Sequence, residues 1–274
     1  MRRSPVRRAV WLLPLTAAIA LVCALAAYGA TSRSSATATL VVDNSFTIKT
    51  ADPQRAFDPT ASIIDRAIFD TLFTYNKGDL TTPIPLLVQS WKTSNGAKTF
   101  TFQLKRNVHF ANGSPLTSAD VVFSLNRLIN IKGNPAFLLA GITVSAHGKY
   151  TVVMKSATPA TQLTAILANP STGIVNSKLV KANGGTSAAN ASAADKAEQW
   201  LNSPASVGAG SGQYTLKSYS TTSQVTLSPN PKYWGSKKPA MKTVVVRNMV
   251  ATPDGMLYLA ESGVNKVAVV TIKR

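Results

Sequence analysis

Cysteine, histidine and glutamate are nearly absent from this 274-residue chain, which has one Cys, two His and two Glu (Glu198 and Glu261). The single Cys23 excludes a disulfide-stapled scaffold. His109 and His147 form no H-E-x-x-H helix, and no Cys pair offers zinc-ligand spacing. The nucleophile turn G-x-S-x-G is missing, since Gly208-Ala-Gly-Ser-Gly212 has its glycines in another order. No G-x-x-x-x-G-K-S/T phosphate loop occurs either. His109 falls in a strand pattern and reads as a surface or packing residue. Asp58, Asp70 and Asp120 read as turn, helix-face and cap residues. The chain is therefore expected to be no enzyme, with no catalytic residue, no metal site and no cofactor.

Negative charge is scarce too. Lys and Arg number 29 against 11 Asp and Glu, a formal net charge of +18. Such a field attracts nucleic acid, anionic lipid or acidic envelope polymer. The bases stand singly or in pairs, as at Lys237-Lys238, without the interleaved aromatics of a nucleic-acid groove. Nucleic acid is not expected as a partner. Long apolar runs are limited to one, residues 9–29, which excludes a polytopic membrane protein. An apolar fraction of 45%, with aromatics spread along the chain, excludes general disorder. The length suits one large domain or two smaller ones.

That apolar run follows Arg2, Arg3, Arg7 and Arg8 and precedes small residues, the order of an export signal. Ala27-Tyr-Gly29 places small residues where a signal peptidase inspects, so residues 1–30 read as a cleaved signal peptide. The run is also long enough to stay as a membrane anchor. Cys23 is a third candidate, as a lipid carrier, although Ala20-Leu-Val22 lacks the usual small residue before it. All three alternatives put the body outside the cytoplasmic membrane, in the periplasm or on the cell surface.

Residues 31–39 form a Ser/Thr/Ala linker. Thr39-Leu-Val-Val-Asp43 predicts a strand. Ile63, Ile64, Ala67, Ile68, Thr71 and Leu72 recur at helical spacing over residues 60–73, with Asp65 and Arg66 on the polar face. Alternation predicts strands at 99–104 and 108–110, and further strands at 150–154, 214–219, 224–228 and 242–247. Leu116-Thr-Ser-Ala-Asp120 opens a helix, with Thr117 as N-cap and Asp120 completing a near capping box. Shorter helices are expected at 159–168 and 193–202, with a surface loop at 183–194. The tail has two readings. Thr252, Pro253 and Gly263 suit a capped helix, which the chain context favours, whereas the local pattern of residues 253–269 suits a hairpin. Helices and strands in this irregular order predict an α/β or α+β fold.

Several stretches share an order and spacing. They are Phe57-Asp-Pro59 with the following Ile68-Phe-Asp-Thr-Leu72, then Pro83-Ile-Pro-Leu-Leu-Val-Gln-Ser-Trp91 and Thr99-Phe-Thr-Phe-Gln-Leu-Lys-Arg-Asn-Val-His-Phe110. Asn112-Gly-Ser-Pro-Leu-Thr-Ser-Ala-Asp-Val-Val-Phe-Ser-Leu-Asn-Arg127, Gly210-Ser-Gly-Gln-Tyr214 and Asn230-Pro-Lys-Tyr-Trp-Gly235 follow. From about Leu40 to Asn248 the chain resembles the peptide/nickel class, family five, of extracellular solute-binding proteins. Val88 and Gln213 stand where that family favours alanine and proline.

The resemblance implies an α/β fold of the periplasmic-binding-protein-like (type II) kind, a two-lobed clamp of which this chain holds the first lobe and its inserted subdomain. It implies lobe I from residues 40–75, an inserted subdomain at 76–190 and a return segment at 191–249, with 250–274 as the start of a second lobe or an unrelated hairpin. It further implies a monomeric ligand-binding component of an ABC importer, with a peptide or similar small solute as ligand and an ABC permease as partner. Thr60, Ala61 and Ser62 match the region bordering the cleft, while Trp91 and Trp234 are expected as core and interface anchors. The alternative is a surface-attached structural or adhesive protein that contacts anionic envelope material.

Overall fold

The computed structural model describes residues 38–44, 48–248, 250–251, 256–261 and 266–271. The expected signal or anchor segment lies outside them, as does most of the linker. Four of the alternating segments build a sheet in the order β1 (Thr39–Asn44), β10 (Thr243–Asn248), β9 (Gln224–Pro229), β8 (Tyr214–Ser218). β1 and β10 run parallel, with Asp43 opposite Arg247, and the other pairs are antiparallel. Val225, Leu227, Val244, Val246 and Leu216 point from this sheet into a core shared with Ile64 and Ile68 of α1 (Pro59–Ile68).

A second sheet, antiparallel throughout, has the order β4 (Val88–Ser94), β5 (Thr99–Leu104), β7 (Thr151–Ser156), β6 (Ile142–Ala146). Strand β5 alternates as its sequence predicts, burying Phe100, Phe102 and Leu104. Between β4 and β5 the chain turns through three consecutive positive-φ residues, Asn95, Gly96 and Ala97. A small hairpin of β2 (Phe73–Asn76) and β3 (Asp79–Pro85) precedes the sheet. Its prolines are tolerated because a two-stranded sheet has open edges.

The helix α2 (Ser118–Ile131) joins the two cores. Val121, Leu125 and Leu128 pack with the second sheet, whereas Phe123 belongs to the core of the first. A helix with apolar contacts on two sides is buried nearly all round, and this one also buries Ser124 and Arg127. Its start is fixed as predicted: the Thr117 N–H and Oγ1 both donate to Asp120 Oδ2 at 2.9 Å. Asp120 Oδ1 in turn accepts from the N–H and Oγ of Ser177, at 3.0 and 2.7 Å. The cap thereby ties α2 to α4 (Ser177–Ala182), which follows the single turn α3 (Leu163–Ile166).

Several expectations need correction. α1 ends at Ile68 rather than 73, because Phe69 is extended and Asp70 is drawn to other partners. Thr71 and Leu72 are buried anyway, so the apolar spacing runs past the helix. Asp65, expected on a polar face, is 1% exposed. Residues 108–110 form no strand: His109 makes one isolated bridge to Pro115 within its own tight loop. The helices expected at 159–168 and 193–202 shrink to α3 and α6 (Glu198–Leu201), with α5 (Ala191–Ala194) inside the expected loop. In the tail, the helix favoured by chain context does not form. β12 (Met256–Glu261) pairs antiparallel with β13 (Lys266–Thr271), and β11 (Val250–Ala251) pairs with β12. Residues 266–271 are rich in β-branched side chains, which a strand accommodates better than a helix, and residues 256–261 pair with them although Tyr258 is their one strand-favouring residue.

Candidate ligand-binding face

The segment before α1 is held by charge. Arg127, 0% exposed, sends its guanidinium into three partners. Its Nη1 and Nη2 donate to Asp52 at 2.7 and 2.6 Å, its Nε and Nη2 to Asp195 at 2.8 Å each, and Nη1 also to Gln54 Oε1 at 2.7 Å. Gln54 Nε2 donates onward to Gly173 O at 2.7 Å. Arg55 adds an outer layer, 3.1 Å from Asp195 and 3.6 Å from Glu198. Burial pushes the Asp195 carboxyl up, but the hydrogen bonds and charge of Arg127 outweigh it and hold it below its ordinary value. Burial likewise disfavours the Arg127 cation, and the charge of Asp52 more than restores it, so its pKa is raised. This pinned loop fixes where α1 begins.

At that start Asp58 is the N-cap. Its backbone is extended and its Oδ1 accepts from Ala61 N at 2.9 Å, with Pro59 at the first helical position. Ser62 Oγ donates back to Asp58 O at 2.9 Å. Of the three residues expected at the cleft, Thr60 and Ala61 are fully buried and Ser62 is half-buried. The surface here is instead made by Phe57, Asp58, Pro59 and Ser62. The ring of Phe57 meets Phe137 edge-on, with centroids 5.2 Å apart, and both rings are exposed. Phe137 lies in the turn at Asn134–Leu139, and nothing in the linear pattern links it to Phe57.

Behind the rim sits Asp65. Burial, then the charges of Asp52 and Asp58, raise its carboxyl well above the usual range, and Oδ1 has no hydrogen-bond partner. Tyr219 lies in the same field: burial, then Glu198, Asp58 and Asp65, push its hydroxyl up to about 12. Among the described residues no group of three His, Cys, Asp or Glu can hold a metal ion. Chemically, the rim offers ring faces, a cap carboxylate and a hydroxyl, all suited to contact.

Residues far apart in sequence close beneath it. Asp70 Oδ2 accepts from Ser211 Oγ at 2.9 Å and from Trp234 Nε1 at 2.8 Å. Burial raises the Asp70 carboxyl despite these two bonds and the charge of Lys105. Gly212 N–H donates to Ile68 O at 2.8 Å. This approach requires glycine, since a Cβ on Gly210 would stand 2.0 Å from Ile68 O, and one on Gly212 would stand 2.5 Å from Ala67 O. Trp234 is thus an anchor. Trp91 is 44% exposed and rests only an edge against Phe73, with centroids 5.2 Å apart.

Two mixed layers joined by a buried helix define an α/β body of the type II periplasmic-binding-protein kind. The chain shares this fold with the Escherichia coli murein tripeptide binding protein MppA (TM-score 0.65, 23% identity, 78% of this chain and 42% of that one). It also shares it with Haemophilus influenzae OppA in complex with RPPGFSPFR (TM-score 0.66, 20% identity, 78% and 42%). The family model for bacterial extracellular solute-binding proteins, family 5 Middle, matches residues 82–271, and the chain belongs to that family. Among curated relatives, the probable D,D-dipeptide-binding periplasmic protein DdpA of Escherichia coli is 33% identical over 180 residues, covering 65% of this chain and 32% of the relative. The periplasmic oligopeptide-binding protein OppA of the same organism is 25% identical over 226 residues, covering 75% and 38%. The chain therefore spans about a third of the length of these relatives. The match extends through the β12–β13 hairpin, so the tail falls within the family pattern.

Proposed function

We propose that this chain captures a peptide outside the cytoplasmic membrane and passes it, chemically unchanged, to an ABC permease. The observation that carries this reading is membership of the solute-binding family over residues 82–271, with relatives named for dipeptides and oligopeptides. The rim supports it, because exposed rings and a capped helix start make contacts without selecting one side chain. In this reading the sheet β1-β10-β9-β8 with α1 is lobe I, and the sheet β4-β5-β7-β6 is its inserted subdomain. Residues 57–62 and Phe137 border the cleft, with Ser62 contributing its hydroxyl and Thr60 and Ala61 shaping the wall from behind. The protein acts as a monomer, and export through residues 1–30 presents it to its ligand.

Calorimetry of the folded chain against a library of short peptides tests this. Saturable binding is expected, weakened by Phe57→Ala and Phe137→Ala, with the peptides recovered intact by mass spectrometry. A folded chain that binds no peptide would overturn the peptide reading. Turnover of any of them would overturn the non-enzymatic one.

A further inference from the structure

An open cavity lies at the Leu104 end of the β4–β5–β7 sheet. It holds about 480 Å³, faces solvent, and is lined by Gln89, Gln103, Leu104, Arg106, Asn107 and Tyr150. That volume falls within the ordinary range of small-molecule sites. Its floor is fixed by backbone bonds, Leu104 N to Tyr150 O at 2.8 Å and Lys105 N to Leu87 O at 2.9 Å.

Three features give it a chemical character. First, the β4–β5 register shifts between Val88 and Ser90, so Gln89 is the extra residue of a bulge. Bulges re-aim a side chain, and this one joins Gln103 in the lining. Second, the lining is rich in donors. Gln103 Oε1 already accepts from Thr151 Oγ1 at 3.0 Å, which leaves its amide nitrogen to donate. Third, the positive charge is braced and unneutralised. The Arg106 guanidinium lies 5.9 Å and the Lys149 Nζ 5.4 Å from the centre of the Tyr150 ring. Between Leu80 and Ala194 the sequence has ten Lys and Arg and a single acid, Asp120. That acid is buried and occupied by Thr117 and Ser177. Arg106 makes no ion pair among the described residues.

We propose that this cavity is an oxyanion-binding site, in which Arg106 grips a phosphate or carboxylate group and Gln89, Gln103 and Asn107 take its remaining oxygens or those of its carrier. A guanidinium presents paired donors that match such groups, and side-chain amides complete the set without adding charge. The carrier is a free solute or a lipid headgroup. The site lies on another layer from the α1 rim and does not depend on peptide binding.

Nuclear magnetic resonance of the full chain, reading the side-chain amide signals of Gln89, Gln103 and Asn107, provides the test. Inorganic phosphate is one probe, and vesicles of phosphatidylcholine with and without phosphatidylglycerol are the other. Saturable movement of those signals with phosphate is expected, weakened about tenfold or more by Arg106→Gln and unchanged by Lys178→Gln with Lys181→Gln. Binding only to the anionic vesicles, lost in Arg106→Gln, also supports the site and assigns the headgroup as source. Vesicle binding that survives Arg106→Gln and disappears with salt would overturn it in favour of diffuse surface charge. So would the absence of any saturable response. If Arg106→Gln fails to fold, Gln103→Leu serves in its place with the same expected loss.

Discussion

The two layers of this molecule differ in how much charge they bury. Around α1 an apolar core that includes Ile64, Ile68, Val225 and Leu227 is accompanied by buried Arg127, Asp52, Asp195, Asp65 and Asp70. Around β5 the interior is built from Phe73, Phe100, Phe102, Leu125, Leu128 and Met154, with no ion pair among the described residues of that sheet. Directional charge fixes the position of a loop, whereas apolar packing fixes a shape. The layer whose loops form the candidate rim is the one fixed in position.

The contrast is broken most severely at Arg127. Arg127→Ala leaves two carboxylates buried without their partner and should cost about 3–5 kcal/mol in urea unfolding. Phe102→Ala should cost a similar ~3–5 kcal/mol through its cavity. The two differ in pH response. Asp195 is held below its ordinary value, so its contribution is present above the unfolded pKa and is lost as pH falls through the folded one. The cost of Arg127→Ala should therefore shrink in acid, while that of Phe102→Ala should not.

A smaller effect is expected at the clamp. Asp70→Ala strands the Trp234 N–H and the Ser211 hydroxyl, a loss of about 1–3 kcal/mol. It should also shift Trp234 fluorescence, and unchanged emission would deny that bond. Asp65→Asn should go the other way. A raised carboxyl contributes stability at low pH that is lost as pH rises through its folded value. The substitution should therefore stabilise by on the order of 1 kcal/mol near neutrality and by less in acid. Equal effects at both ends of the range would refute the assignment. Of similar size, Trp91→Ala should cost about 0.5–1.5 kcal/mol, the worth of one aromatic edge contact, with no dependence on pH.

Local patterns carried much of the fold. The alternation of Thr99-Phe-Thr-Phe-Gln-Leu104 and the cap at Thr117 were legible because each depends on neighbours a few residues away. β4 was not, since its residues after Val88 are exposed and show no alternation of burial. The apolar spacing overstates the length of α1 because a non-helical segment, residues 69–72, buries the same residues a helix would have buried. In the sequence the candidate rim was marked by the Phe57-Asp-Pro59 motif and by Ser62. Its supports come from residues 52, 127 and 195, whose meeting is a tertiary fact. The one available signal was Arg127 itself, a cation on a helix otherwise lined with Val and Leu. Phe137 gave no signal at all.

The parallel pairing of β1 with β10 has a temporal consequence. The Asp43–Arg247 ion pair joins residues 204 positions apart. The first strand therefore has no sheet to enter until nearly the whole body has left the ribosome. At roughly 5–20 residues per second that wait is on the order of 10 s or more. Because non-local closure is slow compared with local pairing, the phenylalanine-rich layer can assemble first and the ionic layer completes afterwards. The earliest-made strand is thus the last to be locked into its sheet.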